Sequence, residues 1–261
     1  MLPFKSSTIN FTDKGRGKTV VLLHGYLESL EIWNGFADEL SRTFRVIAID
    51  LPGHGLSGVV ASIHAMDLLA EAVDAVLRHL DIDKAFIIGH SMGGYVALAY
   101  LANYKRKVSG LCLFHSTPFA DTAEKKSSRD REINIVKRGH AEKLFPLSIP
   151  NGFANENLEK LKDETERAIA IARQTPPEGI VAMLEGMKAR PDRQILIKET
   201  STPVLFILGE KDNHISFDLM YSVAQRSSIG EVLPLKNSGH MGFIEEPQIC
   251  LETLKSFILQ H

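Results

Sequence analysis

Cysteine occurs twice and tryptophan once in 261 residues, and what this chain has little of already bounds what it can be. Cys112 lies in an apolar run and Cys250 in a late helical pattern, with no C-x-x-C pair and no histidine cluster at ligand spacing. That argues against a disulfide framework, a zinc site or a redox dithiol, and both thiols are expected to be buried and inert. No apolar run approaches the roughly 18 residues of a membrane span, and "MLPFKSSTINF" lacks a basic segment followed by an apolar one. The expectation is a soluble, cytoplasmic protein, which leaves the Asn10-Phe11-Thr12 glycosylation match without weight. Neither charge sign dominates: 30 basic and 32 acidic residues leave −2, too little to draw in nucleic acid or an anionic membrane. Repeats and low-complexity tracts are also missing.

What is present is an alternation of two patterns. Short apolar runs recur at 19–25, 45–50, 85–90, 110–115 and 203–209 without period-two alternation, as strands covered on both faces do. Helical stripes lie between them, such as Met66, Leu69, Val73, Val76, Leu77 and Leu80. The class is α/β, with a mostly parallel sheet of about seven to eight strands flanked by helices. The rhythm breaks after residue 117. Residues 118–198 read as helices without strands, so the expected division is a core of 1–117 and 199–261 with a helical cap of 118–198. The stripe Leu158, Leu161, Ala168, Ile169 and Ala172 needs an apolar surface to cover. The charge run Glu124 to Arg131 is read as the solvated face of that cap.

Gly89-His90-Ser91-Met92-Gly93 matches G-x-S-x-G and stands between a predicted strand and a predicted helix. In such an elbow the serine backbone is strained and its flanking positions must be small, so that Oγ is aimed out above the sheet. A serine needs a base, itself oriented by an acid. Among ten histidines, His240 stands on a loop after the strand-like "EVLPLK", and His115, ending a neighbouring strand, is its rival. His24 and His90 are expected to shape turns or bond backbone, and His214 to be a loop residue. Asp212 closes the strand after the cap, and the order Ser91, Asp212, His240 favours His240 as base. Asp50 is read as a brace for the turn-rich "DLPGHG". The backbone N–H groups of Met92 and Tyr26 are the expected oxyanion donors. Tyr26, His115, Met183, Met187 and Met241 are candidate substrate contacts, and the stripe Ile180, Val181, Met183, Leu184 and Met187 can serve either a cavity or the core.

"VVLLHGYLES", "DLPGHGLS", "GHSMGG" and "ILGEKDNHI…NSGHMGFIEEP" together resemble the α/β-hydrolase superfamily, in its capped, single-domain serine hydrolases. These include small carboxylesterases, proline iminopeptidases, carbon–carbon bond hydrolases and cofactor-free haloperoxidases. The resemblance implies acyl transfer to water with Ser91 as nucleophile, a small, fairly apolar acyl substrate, no metal or cofactor, and a monomer or homodimer. Ser91 in place of aspartate argues against haloalkane and epoxide chemistry. A ligand receptor with the same fold, and carbon–carbon cleavage or perhydrolysis on the same three residues, stay open. "GRGKT" at 15–19 is read as a turn, since Thr12 stands where a phosphate loop needs its first glycine.

Overall fold

The apolar runs of the sequence become strands wherever helices cover them on both sides. The computed structural model describes residues 1–227 and 229–261. Its strands are β1 (Leu2–Phe4), β2 (Ser7–Ile9), β3 (Phe11–Lys14), β4 (Thr19–Leu23), β5 (Arg45–Ile49), β6 (Ala85–His90), β7 (Val108–Phe114), β8 (Val204–Gly209) and β9 (Gly230–Leu235). Seven form one sheet in the order β3-β5-β4-β6-β7-β8-β9. Only β3 runs antiparallel to its neighbour; the other pairings are parallel. β6 and β8 are buried along their whole length, as the absence of alternation in their sequences requires.

The sequence "TINFTDKG" reads as a single strand, but the chain breaks it at Asn10. The Asn10 amide donates to Ser57 Oγ at 2.8 Å and its side chain donates to Asp50 Oδ2 at 2.8 Å. Residues before the break pair with β1 in a separate hairpin, and residues after it form the sheet edge.

Helices α1 (Phe36–Ser41), α2 (Met66–His79) and α3 (Met92–Asn103) precede the long insertion. Side chains alternate across β4: Val21 and Leu23 join the core under α2 and α3, while Val20 and Leu22 join the core on the opposite face. α2 buries the expected stripe of Met66, Leu69, Val73, Val76 and Leu77. α3 is buried nearly all round, which explains why its sequence carries no amphipathic signal.

Between β7 and β8 lie α4 (Ala123–Lys137), α5 (Phe145–Ser148), α6 (Lys162–Ala172), α7 (Pro177–Ala189) and α8 (Gln194–Glu199). α7 docks through its glycines: a Cβ at Gly186 would lie 1.9 Å from the His64 carbonyl oxygen, and one at Gly179 would lie 2.3 Å from that of Gly53. That approach turns Ile180, Met183 and Leu184 into the core. After β8 come α9 (Phe217–Gln225), α10 (Gly242–Glu245) and α11 (Pro247–Gln260). Among the described residues no helix is long and apolar enough to cross a membrane.

Candidate active site

β6 enters α3 through Ser91, whose φ of 49° and ψ of −113° lie far from helix and strand. Such a conformation costs on the order of 1–3 kcal/mol and must be held by its surroundings. It is held by backbone contact. A Cβ at Gly89 would lie 2.3 Å from the Gly93 carbonyl oxygen, and one at Gly93 would lie 2.3 Å from that of Leu23. The Ser91 N–H donates to the Phe114 carbonyl at 2.9 Å, and Ser116 Oγ donates to the Ser91 carbonyl at 2.6 Å. Ser91 is thereby fixed on the wall of a cavity of about 380 Å³ that His240 also lines.

The loops after β8 and β9 bring Asp212 and His240 together. His240 Nδ1 donates to Asp212 Oδ2 at 2.7 Å, and the carboxylate's other oxygen accepts the amides of His214 at 2.7 Å and Ile215 at 2.9 Å. Burial would raise the Asp212 pKa, but the charge and hydrogen bonds of His240 and His115 outweigh it and hold the carboxyl well below its usual range. Burial pulls the His240 pKa below its ordinary 6.5, against the opposing pull of Asp212. The imidazole is therefore neutral near pH 7, with its proton on Nδ1. Among the described residues no protein group takes its Nε2.

A second carboxylate pair lies beside the first. Glu28 Oε2 accepts the Gly25 amide at 2.6 Å and faces His90 Nδ1 at 3.0 Å, while His90 Nε2 lies 2.9 Å from the His240 carbonyl oxygen. A carbonyl only accepts, so His90 Nε2 must carry a proton. Burial lowers the His90 pKa, but Glu28 on one side and the carbonyl on the other bring it above 6.5. Burial likewise works against Glu28 ionisation, and His90 reverses it. The result is a buried ion pair joining three loops: the one after β4, the elbow and the one bearing His240.

His24 and Asp50 serve the backbone. His24 Nε2 accepts the Leu51 amide at 2.9 Å, and Asp50 accepts the amides of Leu30 at 2.7 Å and Leu56 at 2.9 Å. His115, expected as a substrate contact, is fully buried and stands off the cavity wall. Backbone amides face both of its ring nitrogens, that of Gly242 at Nε2 (3.1 Å) and that of Gly209 at Nδ1 (3.2 Å), and Nδ1 lies 3.4 Å from Asp212 Oδ2. His115 thus supports the carboxylate from behind. His115, Asp212 and His240 present donor atoms within 4.8 Å of one another, as a metal site would. Here His240 Nδ1 donates to the carboxylate and both His115 nitrogens lie against backbone amides, so hydrogen bonds account for the grouping.

Tyr26, Met187 and Met241 line the cavity, and Met183 does not. Met183 is fully buried because the glycine contacts of α7 rotate it into the core. His214 also reaches the wall, its ring 5.0 Å from that of His240, and burial lowers its pKa to about 4. Among the described residues neither the Tyr26 amide nor the Met92 amide donates to a protein acceptor. Glu28, Arg129 and Glu132 line the cavity too, and the sequence reading missed all three. Glu28 had one available signal, an acid in an otherwise apolar glycine turn. The insertion is tied to the loop of His240: the His240 amide donates to the Gly152 carbonyl at 2.6 Å, and Glu245 Oε1 accepts the Ala154 amide and the Asn157 side chain, each at 2.8 Å.

Residues 18–247 match the family described as alpha/beta hydrolase fold. The chain belongs to that family. A thermophilic esterase from Thermogutta terrifontis is 28% identical, with a TM-score of 0.94 over 97% of this hydrolase and 94% of that chain. The dihydrolipoyllysine-residue acetyltransferase component of the acetoin cleaving system of Pseudomonas putida is 29% identical over 94% of this chain, which spans only 64% of that protein's length. A pimeloyl-(acyl-carrier protein) methyl ester esterase of Vibrio vulnificus is 26% identical over 97% of this chain and 98% of its own. This hydrolase carries seven strands in its sheet, within the expected seven to eight.

Proposed function

We propose that the chain is a serine esterase that hydrolyses a small acyl ester through a covalent acyl-enzyme. One observation carries this reading: a strained elbow serine and a neutral, carboxylate-held imidazole border the same cavity. His240 Nε2 removes the Ser91 proton as Oγ attacks the ester carbonyl. Asp212 keeps the imidazole in the required tautomer and stabilises its charged form. The amides of Met92, at the N-terminus of α3, and of Tyr26 take up the oxyanion; a single donor of this kind contributes about 3 kcal/mol to the transition state. His240 then protonates the departing alcohol, and water, activated by the same nitrogen, releases the acid. Residues 118–198 act as the cap that keeps bulk water from this chemistry.

The two relatives with esterase names support the ester class, at 28% and 26% identity. The test is covalent trapping followed by turnover. A fluorophosphonate should label Ser91, identified by peptide mass spectrometry, and short p-nitrophenyl esters should be hydrolysed over many cycles. Labelling elsewhere would remove the nucleophile assignment, and a single burst without turnover would favour a ligand receptor.

A further inference from the structure

The polar helix α4 is divided by its packing. Lys125, Ser128, Arg129 and Glu132, spaced i, i+3, i+4 and i+7, fall on one helix face and line the cavity that holds Ser91. The run Glu124 to Arg131 is solvated as expected except at Arg129, which is half-buried, while Lys125 and Ser128 are exposed at the cavity rim. That wall holds two cations, Lys125 and Arg129, beside the carboxyls of Glu28 and Glu132. Asp121 alone serves two guanidiniums, accepting from Arg129 Nε at 2.5 Å and from Arg190 Nη1 at 2.7 Å. Arg190 is further occupied by the Tyr95 ring, 4.0 Å away. Among the described residues no carboxylate pairs with Lys125, whose Nζ meets only the His214 carbonyl at 3.5 Å.

The carboxyls on the wall have partners of their own. Glu28 is engaged by His90. Glu132 accepts from the Tyr26 hydroxyl at 2.7 Å. The same cavity is also lined by the apolar side chains of Leu27, Ile149, Ile215 and Met241. A ligand matching this cavity is charged at one end, aliphatic in the middle and an acyl carbon at the other.

We infer that the substrate is a half-ester of a dicarboxylic acid, its free carboxylate held by Lys125, Ser128 and Arg129 and its ester carbonyl over Ser91. This rests on the esterase reading above and adds the substrate class. The reaction balances as ordinary hydrolysis: the acyl–oxygen bond breaks, water supplies hydroxide to the acyl carbon and a proton to the alcohol, and a dicarboxylate leaves.

The test compares monoethyl adipate with its uncharged isostere, the half-amide ethyl ester, by product chromatography, with adipate binding measured by calorimetry. The half-ester should have a kcat/KM at least about tenfold higher, as charge-assisted contacts predict. That preference should shrink in about 0.5 M salt, because Lys125 is exposed and screened. Lys125→Gln should reduce the ratio several-fold and Lys125→Arg should restore it. Equal turnover of the two esters, or a ratio unchanged in Lys125→Gln, overturns the inference while leaving the esterase intact. If neither ester is turned over, adipate binding that weakens in Lys125→Gln sustains the anion site and the esterase reading falls alone. With neither turnover nor binding, the inference falls as well.

Discussion

Among the buried histidines that face carboxylates are His240, with Asp212 at 2.7 Å, and His90, with Glu28 at 3.0 Å, and these two rings lie 5.0 Å apart. Their proton affinities move in opposite directions all the same, His240 below 6.5 and His90 above it. Burial disfavours the cation in both. The difference lies at the far nitrogen: in His90 it meets a carbonyl that demands a proton, whereas in His240 it has no protein acceptor among the described residues. A carboxylate alone therefore makes neither a base nor a strut of a buried imidazole; the group at the second nitrogen and the charges of the neighbouring rings and carboxylates act with it.

The most damaging way to break this contrast is to remove the base. His240→Gln or Asp212→Asn should lower kcat on p-nitrophenyl acetate by about 10⁴-fold while the circular dichroism stays native. Activity within tenfold of the parent would mean that His115 or His214 can substitute.

Removing the strut's carboxylate should act mainly on stability. Glu28→Gln leaves a buried cation short of its partner and should cost about 3 kcal/mol in urea unfolding. The sign of its pH dependence follows from both partners. His90, raised in the fold, contributes stability that is complete below 6.5 and lost as pH rises through its folded value. Glu28, lowered in the fold, contributes stability that is present above 4.5 and lost as pH falls through its folded value. The cost of the substitution should thus be greatest between these limits and smaller at about pH 8.5. An equal cost at both ends would show that the pair is not ionised.

The smallest effect is the most diagnostic. The parent kcat/KM should rise with pH through a midpoint below 6.5, because only neutral His240 accepts the serine proton. The His90 charge helps to depress that midpoint, so His90→Gln should move it upward. A midpoint that stays in place would mean the two rings titrate independently.

The pairing of Asp212 with His240 beside the cavity that Ser91 lines follows positions the sequence marks, since each residue comes after a strand and the elbow forces glycines to fixed offsets. The interior of the insertion was not. α4 is polar on all sides, so no apolar stripe tells which face turns inward, and Arg129 and Glu132 passed as surface. In α7 the stripe was visible, but the direction of Met183 depends on Gly179 and Gly186 meeting backbone far away in the chain. Apolar residues satisfy a core and a cavity equally well. Only the packing partner separates the two.

The bond from the His240 amide to the Gly152 carbonyl moors the insertion to the loop that bears His240. A movement of residues 150–154 away from that loop would therefore pull on the imidazole that Asp212 holds.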